Sequence, residues 1–115
     1  MSRIEPILEQ LQEIHDQDDQ MELIISTLTN EVLYPEPGNY YTFIYKPKTP
    51  NISYDEFPLI ACMELYKWGF RGLNFHWRDY RNYTWEEVIG KLHVVNYDEL
   101  DDLVSVQYGK FRLNK

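Results

Sequence analysis

Apolar residues recur through the first third of the chain at Ile4, Ile7, Leu11, Ile14, Met21, Ile25, Leu28 and Val32, in steps of 3, 4, 3, 7, 4, 3 and 4. Asp18 sits inside the longest step, where the next apolar residue would fall. This is a heptad-like seam with one acidic interruption, and it predicts helix with a face that needs a partner. Leu8 and Ile24 widen the stripe, which suits packing on a larger body or a bundle better than an isolated helix pair. Ser2 and Glu5 have capping-box spacing, and Pro6 falls in the first turn, where its missing N–H costs least. Pro35 and Pro37 end the pattern. Two versions are open: one helix of about 30 residues, roughly 45 Å long, or two helices broken within His15–Gln20. That run holds neither glycine nor proline, which favours the continuous form.

Beyond residue 33 the pattern changes. Tyr34-Pro35-Glu36-Pro37-Gly38-Asn39 reads as linker and turn. Tyr40–Lys46 is rich in strand formers, and Pro47–Asn51 reads as a turn or loop. Leu59–Tyr66 is a continuous apolar run, Lys67-Trp68-Gly69 a tight connection, and Phe70–Trp77 its returning partner. Gly72 within that partner signals a bulge or a close backbone approach. Thr84 and Glu87 repeat the capping-box spacing and predict a short helix over Trp85–Lys91. Val94-Val95 reads as a short extended piece, Asp98 as a cap for one turn through Leu103, and Val104–Val106 and Phe111–Leu113 as closing strands. The expected architecture is α+β. A helical arm (residues 1–33) is followed by a linker (34–39) and a small antiparallel β-barrel-like domain (40–115) of the Src-homology-three kind, with one short helix.

Composition sharpens this division. The chain has 115 residues, enough for one small domain with an appendage. All 18 aromatic residues lie beyond residue 33, so a small β domain still has bulk for a core. The net charge of −8 is uneven: −7 over residues 1–33, +1 over 34–81, −5 over 82–108 and +3 from 109 onward. That sign disfavours general nucleic-acid affinity. Cys62 is the one cysteine, so no disulfide can form within the chain, and a reducing compartment is the simplest inference. No transmembrane span or signal peptide is read in the sequence.

No pattern of catalytic residues stands out. His76 with Asp79 could form an oriented imidazole, but strand residues three apart point to opposite faces, and His15 and His93 lack ligand spacing with it. Tyr54-Asp55-Glu56 carries neighbouring carboxylates, which extended backbone also directs apart. No metal or cofactor is expected. Arginines and lysines interleave with aromatics from Tyr45 to Trp85. This pattern serves stacked single-stranded nucleic acid but equally protein hot spots, and the acidic chain favours the second. The candidate interaction residues are therefore two groups. One is the helix seam: Ile4, Ile7, Leu11, Ile14, Asp18, Met21, Ile25, Leu28 and Val32. The other is an aromatic–basic surface: Trp68, Arg71, Trp77, Arg78, Tyr80 and Arg81. Asp18 either faces solvent at a local break or meets a cation on a partner.

The stretch Tyr40–Trp77 reads Tyr-Tyr-x-Phe-x-Tyr-x-Pro-Lys-Thr-Pro. It continues with Tyr54-Asp55-x-Phe57-Pro58-Leu59-Ile60 and Gly69-Phe70-x-Gly72-x-Asn74-Phe75-His76. It resembles small proteins of contractile-tailed bacteriophages, including those that infect cyanobacteria. The resemblance covers about a third of the chain and implies a phage context and no particular chemistry. The expected function is a non-enzymatic assembly component of the tail, baseplate or connector. Its partners would be other phage structural proteins or copies of itself, first in the host cytoplasm and then in the virion. An acidic regulator or DNA mimic that binds a host protein is the alternative, with a single-stranded nucleic-acid-binding module behind it.

Overall fold

The computed structural model describes residues 2–46, 57–75 and 78–106. A 3₁₀ turn at Glu5–Ile7 runs into α1 (Leu8–Glu13), and α2 (Gln17–Thr27) follows after a break at Ile14–Asp16. The expected single long helix is therefore two short ones. Ile14 and Asp16 are extended, with ψ of 123° and 126°. Side-chain capping makes the break without glycine or proline. The Asp16 carboxylate accepts from the Asp18 and Asp19 N–H groups at 2.7 and 3.4 Å, starting α2. The buried Gln20 carboxamide donates to the carbonyls of Leu11 and Ile14, both at 2.9 Å, satisfying the end of α1. At the start of the chain the first turn begins at Glu5, with Ile4 at the N-cap position and no side-chain cap, so the predicted capping box does not form as such; Ser2 Oγ instead accepts from the Ile4 and Glu5 N–H groups at 3.1 Å.

Six antiparallel strands form one sheet in the order β1-β6-β2-β3-β4-β5. They are β1 (Glu31–Val32), β2 (Tyr40–Tyr45), β3 (Leu59–Leu65), β4 (Gly69–Asn74), β5 (Asp79–Thr84) and β6 (Val88–Val95). The sheet is open, not the expected closed barrel: β1 and β5 are its two edges. The expected helix over Trp85–Lys91 is one 3₁₀ turn, Trp85–Glu87, after which β-branched Val88 and Ile89 begin β6 against β2. Thr84 Oγ1 donates to the Glu87 carboxylate, in place of the capping bond its spacing suggested. Val104 ends helix α3 (Leu100–Val104), and Val106 is buried beyond it, so no closing strand forms there. Phe111–Leu113 lies outside the described residues.

Alternation in the strands gives the sheet two buried faces. On one, Tyr41, Phe43 and Tyr45 of β2 meet Ile60, Cys62, Phe70, Tyr83 and Leu92. The sheet curls until Tyr45 on β2 and Tyr83 on β5 touch edge to face, with ring centroids 5.0 Å apart. The Tyr45 hydroxyl donates to Glu87 at 3.0 Å and accepts from the Thr84 N–H at 3.4 Å. Burial pushes its pKa up to about 12, so the ring stays neutral. Burial also raises the Cys62 thiol to about 11, consistent with a small apolar core residue. Gly69 is required: an added Cβ would lie 1.8 Å from the Tyr83 carbonyl oxygen.

The opposite face carries the helices. Ile4, Leu11, Met21, Ile24 and Leu28 share one core with Phe57, Leu59, Val95, Leu100, Leu103 and Val106. The leading segment therefore packs on its own sheet, and residues 34–39 are bonded to it as well. The Glu36 N–H donates to the Tyr41 hydroxyl at 2.8 Å, and the Gly38 N–H to the Cys62 carbonyl at 2.8 Å.

Glu99, fully buried in the turn before α3, ties the leading segment to the end of β6. Its carboxylate accepts from the Arg3 N–H and Nε at 2.8 Å, from Arg3 Nη2 at 2.9 Å, and from the Asn96 N–H at 2.8 Å. Arg3 Nη2 also reaches the Val94 carbonyl at 3.1 Å, and Ser2 Oγ donates to Asp102 at 2.7 Å. Burial alone would raise the Glu99 pKa. The Arg3 and Asn96 hydrogen bonds and the Arg3 charge overcome it and hold the carboxyl below its ordinary 4.5.

A carboxyl lowered on folding stabilises above its unfolded pKa and loses that contribution as pH falls through its folded value. Glu99→Gln is expected to cost about 3 kcal/mol in urea unfolding at pH 7, with the cost shrinking as pH is lowered below the ordinary 4.5 and through the depressed folded value. Gly69→Ala is expected to cost on the order of 3 kcal/mol or more, because the obstacle is backbone; thermal unfolding measures it.

Candidate functional site

The β3–β4 hairpin and β5 place aromatic and charged side chains on the helix-bearing face of the sheet, near its β5 edge. Arg71 on β4 pairs across the ladders with Glu64 and Asn82, while Tyr80 on β5 pairs with Leu73. Arg71 and Tyr80 are therefore diagonal neighbours on one face. The Arg71 guanidinium carbon stands 4.9 Å from the centre of the Tyr80 ring, a cation–π contact. At the hairpin end, Tyr66 and Trp68 stack with centroids 4.8 Å apart and planes 6° from parallel. The Tyr66 hydroxyl donates to Glu64 at 2.9 Å, and this bond raises its pKa, opposed by the nearby Arg71 charge. Trp68 and Tyr80 are 46% and 49% exposed.

Sequence reasoning named Trp68, Arg71 and Tyr80; the sheet brings Arg71 and Tyr80 into contact, while Trp68 stacks on Tyr66 at the hairpin end. Arg81 follows Tyr80 and pairs with Gly72, so alternation directs it to the other face, where it is half-buried. Arg78 is exposed in the turn before β5 with φ of 57°, the left-handed region. Trp77, His76, Tyr54, Asp55 and Glu56 lie outside the described residues. Glu64 and Tyr66 were missed, as were exposed Met63 and Leu65. The ladder slips between Cys62 and Glu64, turning the end of β3 out of the core. The signal available was Glu64, a charge inside an otherwise apolar run.

The helix seam is placed differently from the expectation of a docking stripe. Ile4, Leu11, Met21 and Leu28 are at most 1% exposed, inside the chain's own core. Ile7, Ile14, Ile25 and Val32 are half-buried. Asp18 is exposed in the first turn of α2, facing solvent at the break, where the positive end of the helix favours a carboxylate.

A second concavity remains beside α2. Two contiguous hollows of about 490 and 340 Å³ share Glu22, Ile25 and Ile44. Ile89, Lys91 and His93 of β6 and Glu31 line the first, and Asp18, Lys46 and Phe57 line the second.

The free edge, β5, is partly capped from within: the Tyr80 N–H donates to Asp79 at 2.8 Å and the Thr84 N–H to Tyr45. Such capping weakens an edge as a template for an added strand. Among the described residues no three His, Cys, Asp or Glu side chains group to hold a metal ion. No described helix is long and apolar enough to cross a membrane. No protein-family model, curated protein or solved structure matches the chain.

Trp68→Ala and Tyr80→Ala are each expected to change the unfolding free energy by less than about 1 kcal/mol. Phe70→Ala, which removes a fully buried ring from the curled face, is expected to cost about 3–5 kcal/mol. Denaturant unfolding of the three variants checks this contrast.

Proposed function

We propose that this chain is a non-enzymatic assembly component of a tailed-phage particle, and that it holds a neighbouring structural protein through the Trp68–Arg71–Tyr80 surface. The observation that carries the reading is the exposed Arg71–Tyr80 pair beside the Tyr66–Trp68 stack, all on strands and a tight hairpin. Tryptophan, tyrosine and arginine are the side chains in which protein interfaces concentrate their binding energy. Mounted on a rigid hairpin, they lose little conformational freedom on docking. The phage setting rests on the sequence resemblance over Tyr40–Trp77. A protein partner is preferred to nucleic acid because the net charge is −8.

Mass spectrometry of purified particles tests the reading. The chain is expected in the particle, and Trp68→Ala with Arg71→Ala is expected to lower its incorporation at least about tenfold, the loss of roughly 1.4 kcal/mol of contact. A chain absent from particles and captured on a host nuclease or polymerase would favour the acidic regulator instead. Binding to single strands that weakens steeply with salt would favour the nucleic-acid module.

A further inference from the structure

The cleft beside α2 carries acidic and basic side chains on opposite sides of an apolar floor. Its floor is Ile25, Ile44 and Ile89, and Ile89 is 47% exposed on β6. Along the helix wall stand Asp18 and Glu22. On the strand side stand Lys46 at one end and Lys91 farther along, with Glu31 and His93 closing the far end. Arg3–Glu99 is an ion pair of the described residues. Among the described residues no ion pair is seen for Asp18, Glu22, Lys46 or Lys91, although they line the same hollows. His93 is already engaged, its Nδ1 lying 2.8 Å from the Leu28 carbonyl oxygen.

An apolar strip with carboxylates along one side and ammonium groups along the other is complementary to itself. Rotation by half a turn about an axis running along the strip lays the acids of one copy against the lysines of the other and turns the half-exposed Ile89 of each toward its partner. We propose that the α2–β6 cleft is a two-fold interface in which a second copy of this chain is the occupant. In it Glu22 and Asp18 of each protomer face Lys91 and Lys46 of its partner across Ile25, Ile44 and Ile89. The pairing does not involve the Trp68–Arg71–Tyr80 surface, so a dimer would leave that surface free to hold another protein twice over.

Sedimentation of the full chain from about 1 µM to 1 mM, a span covering weak to moderate association, tests this. A reversible dimer that weakens with salt is expected. Ile89→Glu should raise the dimer dissociation constant at least about tenfold while leaving the thermal midpoint nearly unchanged, since the side chain is half-exposed. Glu22→Lys and Lys91→Glu should each raise it about fivefold, and the two together should restore it to within about twofold, because the swapped charges again oppose across the axis. A chain that stays monomeric throughout, or a dimer indifferent to Ile89→Glu and to the charge swap, overturns the proposal. So does a cleft that binds an unrelated protein partner while the chain alone remains monomeric.

Discussion

One buried carboxylate fixes how the leading segment meets the sheet. Glu99 is fully enclosed, and an ionised group there is tolerable only because Arg3 and Asn96 surround it with donors. Its partners are far apart in sequence, Arg3 lying ahead of α1 and Asn96 directly after β6. Satisfying the charge therefore holds the leading segment against the end of the sheet. Once it is held there, the apolar side of α1 and α2 has nowhere better to go than onto Leu59 and Val95.

The rest of the architecture follows from that placement. The curled face of the sheet is filled by its own aromatic rings, and the opposite face is covered by the helices over part of its width. What the helices leave open is the cleft along α2 and the Arg71–Tyr80 region toward β5. Both exposed regions are thus leftovers of one packing decision, and both lie on helix or strand. The acidic excess of the first third lies mainly on the outer sides of α1 and α2: Glu9, Glu13, Asp16, Asp18, Asp19 and Glu22 are all exposed. This is the solvated face such a pattern most often marks.

Much of the local structure was legible. The Leu59–Leu65 and Gly69–Asn74 hairpin and the Tyr40–Tyr45 strand could be read from residue type and spacing. Three features could not. The break at Ile14–Asp16 depends on Gln20 reaching back to the carbonyls of Leu11 and Ile14, a contact between residues up to nine positions apart. The length of β6 depends on β2 as its partner, so Val94-Val95 alone showed only the end of an eight-residue strand. The direction of the helix seam depends on Glu99, and nothing in a heptad pattern says whether its partner is another chain or the same one. Of the aromatic–basic group, Arg71 and Tyr80 meet because the β4–β5 register makes them diagonal neighbours. Arg81 was misplaced because strand alternation could not be phased without that register.

The central claim is that the seam and the sheet form one cooperative unit closed by Glu99. Native-state hydrogen exchange on the full chain tests it most directly. Amides of α2 and of β2 are expected to exchange with the same free energy of opening, equal to that of global unfolding, and to fall together in Glu99→Gln. Amides of α2 that open separately, at much lower free energy and with β2 still protected, would contradict it.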